Sequence, residues 1–276
     1  MTVPTTPAVD LYLDVMAKML TRYGFEGRSV TVKFNARSYE SYLWDLMRNQ
    51  TRNRDIRLVE AGEFDAATRE VGHDWPADAE TMVGLKRLAN VRMCLESVIA
   101  DGVPGDFIET GAWRGGTCIY ARAILAAHGV TDRTIWVADS FEGLPAPDGR
   151  FEADAGDQHH TMSELAISVE QVQDNFRRYD LLDEQVTFLK GWFSDTLPTA
   201  PIEAIAVLRL DGDMYASTMD ALEPLYDKVS AGGYVIVDDY GAVDSCKKAI
   251  HDFRDARGIT DEIIEIDWAG VYWRKS

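Results

Sequence analysis

Residues 233–275 read GYVIVDDYGAVDSCKKAIHDFRDARGITDEIIEIDWAGVYWRK. The run Gly233–Asp238 is short and apolar, as expected of a strand buried on both faces of a parallel sheet. Ser245–Arg257 has helical spacing, with Asp244 placed to cap it and Gly258 to end it. Asp261–Asp267 and Val271–Lys275 then flank Ala269-Gly270 as an antiparallel pair closing a sheet edge. Working backwards, the same alternation of strand and helix extends to Gly105. Strands are predicted at Asp106–Thr110, Thr134–Asp139, Gln185–Lys190 and Ala204–Leu210. The helices between them fall at about Gly116–His128, Ser163–Asp180 and Ser217–Val229.

Five parallel strands followed by an antiparallel pair is an informative ending. A plain dinucleotide-binding domain more often continues with a sixth parallel strand. Seven strands with a terminal hairpin resemble the class I S-adenosylmethionine-dependent methyltransferase fold, an α/β architecture here assigned to residues 105–276. Residues 1–104 have a different texture. Leu11, Val15 and Leu20 suggest a first helix, Tyr39–Met47 is aromatic and apolar, and Thr51–Arg57 is basic. Glu80–Ala100 reads as a helix with Met82, Leu85, Leu88, Val91, Leu95 and Val98 on one face. This region is expected to form a helical cap that binds the acceptor or simply packs on the sheet.

The chain has 276 residues, 46 acidic and 28 basic, for a formal charge of −18. Phosphate binding needs clustered Lys and Arg, so nucleic acid and anionic membrane are disfavoured as partners. No stretch approaches the ~20 apolar residues of a membrane span. Met1 to Asp14 lacks a basic region and carries Asp10 and Asp14, unlike a signal peptide. Cys94, Cys118 and Cys246 are odd in number and widely spaced, which fits reduced thiols in a cytoplasmic protein.

Two pairs of acids end predicted strands: Leu208-Arg209-Leu210-Asp211-Gly212-Asp213 and Val235-Ile236-Val237-Asp238-Asp239-Tyr240. Ligands of open α/β sheets bind at the carboxyl ends of the strands. Acids packed there repel one another unless a cation joins them. Asp211, Asp238 and Asp239 could supply three oxygen ligands to Mg²⁺, leaving Asp213 as general base, although spacing alone leaves Asp211 and Asp213 interchangeable. There is no H-E-x-x-H and no Cys/His cluster for zinc or iron. His159-His160 lies in a polar loop within reach of the same edge.

Glycines in Phe107–Thr117 would let backbone approach a ligand closely, and a following helix N-terminus favours a carboxylate. The spacing is not G-x-G-x-x-G. Asp139, ending Val137–Gly143, is placed to accept hydrogen bonds from ribose hydroxyls. Gly191-Trp192-Phe193 offers a flat surface for adenine.

Together, F-I-E-T-G-A-W-R-G-G-T (107–117), V-A-D-S-F-E-G (137–143), G-W-F (191–193), L-D-G-D-M-Y (210–215), D-D-Y (238–240) and D-A-E-T-M-V-G-L-K-R-L (78–88) resemble the macrocin O-methyltransferase family. Its members methylate deoxysugar hydroxyls on antibiotics. The resemblance implies S-adenosylmethionine and Mg²⁺, with Asp211, Asp238 and Asp239 as metal ligands and Asp213 as base. It places Glu109, Thr110, Gly111, Ala112, Trp113, Asp139, Ser140 and Trp192 around the cofactor. Thr81 and Met82 would join from the preceding helix, and Phe141, Gly143, Gly191, Phe193 and Asp211 from the neighbouring loops. A homo-oligomer acting on a glycosylated small molecule is the implied assembly and partner. Gly27–Glu63 matches no pattern, and that segment is expected to shape the acceptor pocket. A catechol acceptor, a cofactor-binding protein without activity and a nicotinamide-dependent reductase are the competing readings. The last is disfavoured by the absence of a Y-x-x-x-K pair.

Overall fold

The computed structural model describes residues 7–23, 25, 28–31, 41–43, 46, 59–62, 64–76, 78–147 and 149–276. The basic stretch Thr51–Arg57, much of Tyr39–Met47 and most of Gly27–Glu63 lie outside the described residues.

The main sheet contains β3 (Asp106–Thr110), β4 (Ile135–Asp139), β5 (Val186–Lys190), β6 (Ile205–Leu210), β7 (Val229–Val237), β8 (Ile264–Glu265) and β9 (Val271–Arg274). Their order is β5-β4-β3-β6-β7-β9-β8. Neighbours from β5 to β7 run parallel, and β9 pairs antiparallel with both β7 and β8. The chain enters at β3, winds outward to β5 and crosses back to β6. That reversal opens a crevice at the carboxyl ends of β3 and β6. A separate antiparallel pair joins β1 (Arg28–Thr31) to β2 (Val59–Gly62).

Eight helices are described: α1 (Pro7–Leu20), α2 (Ala66–Glu70), α3 (Leu85–Ala100), α4 (Gly116–Ala127), α5 (Val169–Arg178), α6 (Phe193–Thr196), α7 (Tyr215–Leu225) and α8 (Asp244–Arg257). Every residue of β6 is buried, because alternate side chains enter apolar layers on opposite faces of the sheet. Val207 and Ile236 join the layer holding Leu13, Leu88, Leu95, Ile119 and Phe176, from α1, α3, α4 and α5. Leu208, Val235 and Val237 join Leu222, Ile250 and Phe253, from α7 and α8. No described helix is long and apolar enough to cross a membrane.

The boundaries differ from the sequence expectations where side chains from elsewhere intervene. The helix expected from Glu80 begins at Leu85. The Thr81 hydroxyl accepts the Val83 N–H at 3.2 Å, and the Glu80 carbonyl accepts the Gly116 N–H at 3.0 Å, holding residues 80–84 off the helix. Thr81 and Met82 therefore lie before the helix and not within it. Helix α5 starts at Val169, where the Ser168 hydroxyl caps the Gln171 N–H at 3.2 Å; Ser163–Leu165 is only a short turn. Helix α7 starts two residues early because Asp154, far away in sequence, accepts the N–H groups of Tyr215 and Ala216 at 2.7 and 2.9 Å. It ends at Leu225, directly after Pro224, and β7 already begins at Val229. Asp244 opens α8 without capping it; Val243 holds the cap position. Helix α1 is present as expected; it turns Leu13, Met16, Ala17 and Leu20 inward and leaves Leu11 and Val15 exposed. The terminal pairing is shorter than expected, with only Ile264 and Glu265 forming β8.

Candidate active site

The carboxyl ends of β3 to β7 open into one cleft of about 530 Å³. Of the residues expected to form a site, all but Thr110 and Phe141 line it. Those two are buried: the Thr110 hydroxyl donates to the Arg209 carbonyl at 3.4 Å, and the Phe141 ring packs near Phe188.

After β3 the chain makes a tight turn that no other residue type would permit at Gly111. Its φ is +101°, and a Cβ there would stand 1.7 Å from the Asp211 carbonyl oxygen. This contact fixes the β3 loop against the β6 loop. Trp113, Phe141 and Asp213, each just beyond a parallel strand, also sit at positive φ of 47°, 57° and 56°. Such conformations cost a non-glycine residue on the order of 1–2 kcal/mol and concentrate at ligand sites.

Asp139 binds these loops together. One carboxylate oxygen accepts the N–H groups of Ala112 and Trp113 at 2.8 and 3.2 Å, and the other accepts that of Phe141 at 2.7 Å. Burial nevertheless leaves its pKa above the ordinary carboxylate value, since desolvation outweighs the three hydrogen bonds. A carboxylate has about four acceptor positions, so capacity remains for a hydroxyl. Trp192, 38% exposed, caps the far end of the cleft beyond β5.

At the centre, Asp211, Asp238 and Asp239 each bring an oxygen to within 4.8 Å of the others. The sequence reading missed what stands behind them. Arg209, only 1% exposed in β6, donates to Glu109, Asp211 and Asp238. Arg87 of α3 donates to Asp238 and, at 3.1 Å, to Asp267. Glu109 is fully enclosed by Arg209 and the Cys118 thiol, which donates to it at 2.7 Å. Burial raises the Glu109 carboxyl above its ordinary range.

The two arginines do not neutralise the whole cluster. Burial first, and then repulsion from neighbouring acids, holds Asp211 and Asp239 well above the ordinary carboxylate range. Asp213 is pushed up to about 6, again mainly by burial. Its N–H donates to Asp239 at 3.0 Å, fixing the loop that presents its side chain to the cleft. All-oxygen donors with unrelieved negative charge fit a hard divalent cation.

His159 also reaches the cleft, held by Asp157 at 2.6 Å, whereas His160 is exposed and does not line it. Burial pulls the His159 pKa down, but the hydrogen bond to Asp157 and the nearby Asp213 charge raise it overall. Sequence reasoning also missed Trp75, Arg150, Asp220 and Trp268 on the cleft wall. Arg150 and Asp220 form a two-pronged ion pair at 2.9 and 2.8 Å. The one available signal was topological: the turn of a terminal antiparallel hairpin must return to the ligand edge, carrying Trp268 with it.

The chain is also similar to known proteins. The chain is 50% identical over 270 residues to demethyldecarbamoylnovobiocin O-methyltransferase of Streptomyces niveus, covering 96% of this chain and 94% of that one. It is 53% identical over 223 residues to mycinamicin III 3''-O-methyltransferase of Micromonospora griseorubida, covering 79% and 87%. The solved structure of the O-methyltransferase NovP superposes with a TM-score of 0.83 at 48% identity, covering 97% of this chain and 99% of that one. That similarity places the sheet and its terminal antiparallel strands in the class I methyltransferase fold. With the macrocin-O-methyltransferase (TylF) family model matching residues 9–275, the chain belongs to that family of enzymes.

Proposed function

We propose that this protein transfers the methyl group of S-adenosylmethionine to a deoxysugar hydroxyl of a glycosylated natural product, with Mg²⁺ bound at the three central acids. The observation that carries the reading is the cluster of Asp211, Asp238 and Asp239, with Asp213 beside it, at the switch point of a methyltransferase sheet. Relatives sharing about half of the sequence support the acceptor class: one is named for a novobiocin precursor, another for a rhamnosyl-tetracenomycin and a third for mycinamicin III.

The chain's own residues divide the work. The β3 loop from Glu109 to Trp113 and the start of α4 receive the methionine end of the cofactor, where the positive end of the helix favours a carboxylate. Asp139 accepts from ribose hydroxyls while bracing the loop, and Trp192 offers its face to the adenine. Thr81 and Met82 close this side from the cap, residues 1–104. Asp211, Asp238 and Asp239 would hold the cation, and Arg209 and Arg87 keep Asp238 oriented. When bound, the cation lowers the pKa of a coordinated alcohol. Asp213, beside the three acids, is the residue that would take the hydroxyl proton as the sugar oxygen accepts the methyl group. Free of the cation, the Asp213 carboxyl is held at about 6, within the range of a general base. Much of the acceleration comes from alignment in the cleft. Buried, free cysteines fit a cytoplasmic setting.

Asp213→Asn tests the assignment. Turnover of a deoxysugar glycoside should fall by about 10²–10⁴-fold, while calorimetric affinity for S-adenosylhomocysteine is unchanged. Retained turnover would remove Asp213 from the role of base.

A further inference from the structure

We infer that Trp268 and Trp75 form a subsite for a planar aromatic aglycone on the acceptor, a proposal that rests on the glycoside reading above. Val271 pairs with Val237, the last residue of β7, so the turn between β8 and β9 lies at the carboxyl edge of the sheet. Trp192 marks the opposite end of the same cleft, and the acids lie between them. Trp268 and Trp75 are 45% and 42% exposed while lining that cleft. Large aromatic surface left open inside a cleft is a binding feature, because burial elsewhere would have been favourable.

The Trp268 ring is fixed in advance. Its Nε1–H donates to the Val71 carbonyl at 2.8 Å, and His73 stacks on it at 4.4 Å and 16°. Asp267 accepts the N–H groups of Ala269 and Gly270 at 3.0 and 2.8 Å, and Arg87 holds the same carboxylate. Gly241 donates to the Ala269 carbonyl at 2.7 Å, and a Cβ on it would stand 2.2 Å from the Trp268 carbonyl oxygen. A two-residue strand does not need so many supports for its turn. They make sense for an aromatic anchor that must not lose entropy on binding.

The indole's one donor is already used, so its open surface can only stack or make apolar contact. That selects a flat ring over a polar chain. Arg87 lies 5.9 Å from the Trp268 ring centre and bonds to Asp238 at its other end. One guanidinium thus links the platform to the acids, so the two lie side by side in the cleft.

The test is calorimetry with S-adenosylhomocysteine and Mg²⁺ present, using 4-nitrophenyl and methyl α-L-rhamnopyranoside. The wild type should bind the aryl glycoside on the order of tenfold tighter than the methyl glycoside. Trp268→Ala should bring that ratio close to one with affinity for S-adenosylhomocysteine unchanged, and Trp268→Phe should keep most of it. Trp75→Ala, which leaves the hairpin intact, should lower the same ratio. Equal affinities in the wild type, or an unchanged ratio in Trp268→Ala and Trp75→Ala, overturn the subsite. If the wild type binds neither glycoside, the glycoside reading fails and the subsite with it.

Discussion

Arg209 is the residue on which the site's electrostatics turn. It is buried near the carboxyl end of β6 and faces three carboxylates, Glu109, Asp211 and Asp238. Removing one member of a buried ionic network leaves its partners uncompensated, at about 3–5 kcal/mol. Arg209→Met should therefore lower the denaturant midpoint by a corresponding amount, and Arg209→Lys should recover only part because a single ammonium cannot serve three partners in a plane. A variant as stable as the wild type would contradict this account of the network. The Leu208–Asp213 stretch contains Arg209 and Asp211 but not the other two partners, since Glu109 and Asp238 come from other strands. The acids were legible from position alone, because carboxylates directly after parallel strands share one edge. Asp139 shows the same limit. Its place at the end of β4 was readable, whereas its three backbone hydrogen bonds depend on how the β3 loop folds back.

Among the elements, the loops after the strands carry the site, and Gly111 is the tightest joint between two of them. Gly111→Ala forces a side chain into the left-handed region and against the Asp211 carbonyl. A loss of at least about 2 kcal/mol is expected, with weaker binding of S-adenosylhomocysteine in the same variant. Wild-type stability and affinity would show that the two loops can separate. The strands themselves were legible because buried parallel strands are continuous apolar runs. The starts of the helices were not. Asp154 caps α7 from 61 residues away in sequence, and Glu80 spends its carbonyl on Gly116 rather than on a helix of its own. Helix α1 was legible from Leu11, Val15 and Leu20, yet it meets α4 and α3 through Leu13, Met16 and Leu20 and leaves Leu11 and Val15 exposed.

Over the whole molecule the chain carries 46 acidic residues, and the central carboxyls of the cleft resist ionisation. Asp213 gives this a measurable sign. Unfolded, it ionises near pH 4; folded and metal-free, it does so near 6. Between those values the folded state holds the extra proton, so this group's contribution to stability falls as pH rises. In EDTA, Asp213→Asn should gain stability relative to the wild type from pH 4 to 7, reaching on the order of 1–3 kcal/mol. A difference that is flat or of opposite sign would show that burial does not strain the acid. The same strained charge is what a divalent cation relieves. The most direct test is therefore turnover of a deoxysugar glycoside with S-adenosylmethionine, followed as S-adenosylhomocysteine formed, in EDTA and after Mg²⁺ is restored. The account predicts loss in EDTA and recovery with Mg²⁺; full turnover in EDTA would contradict it.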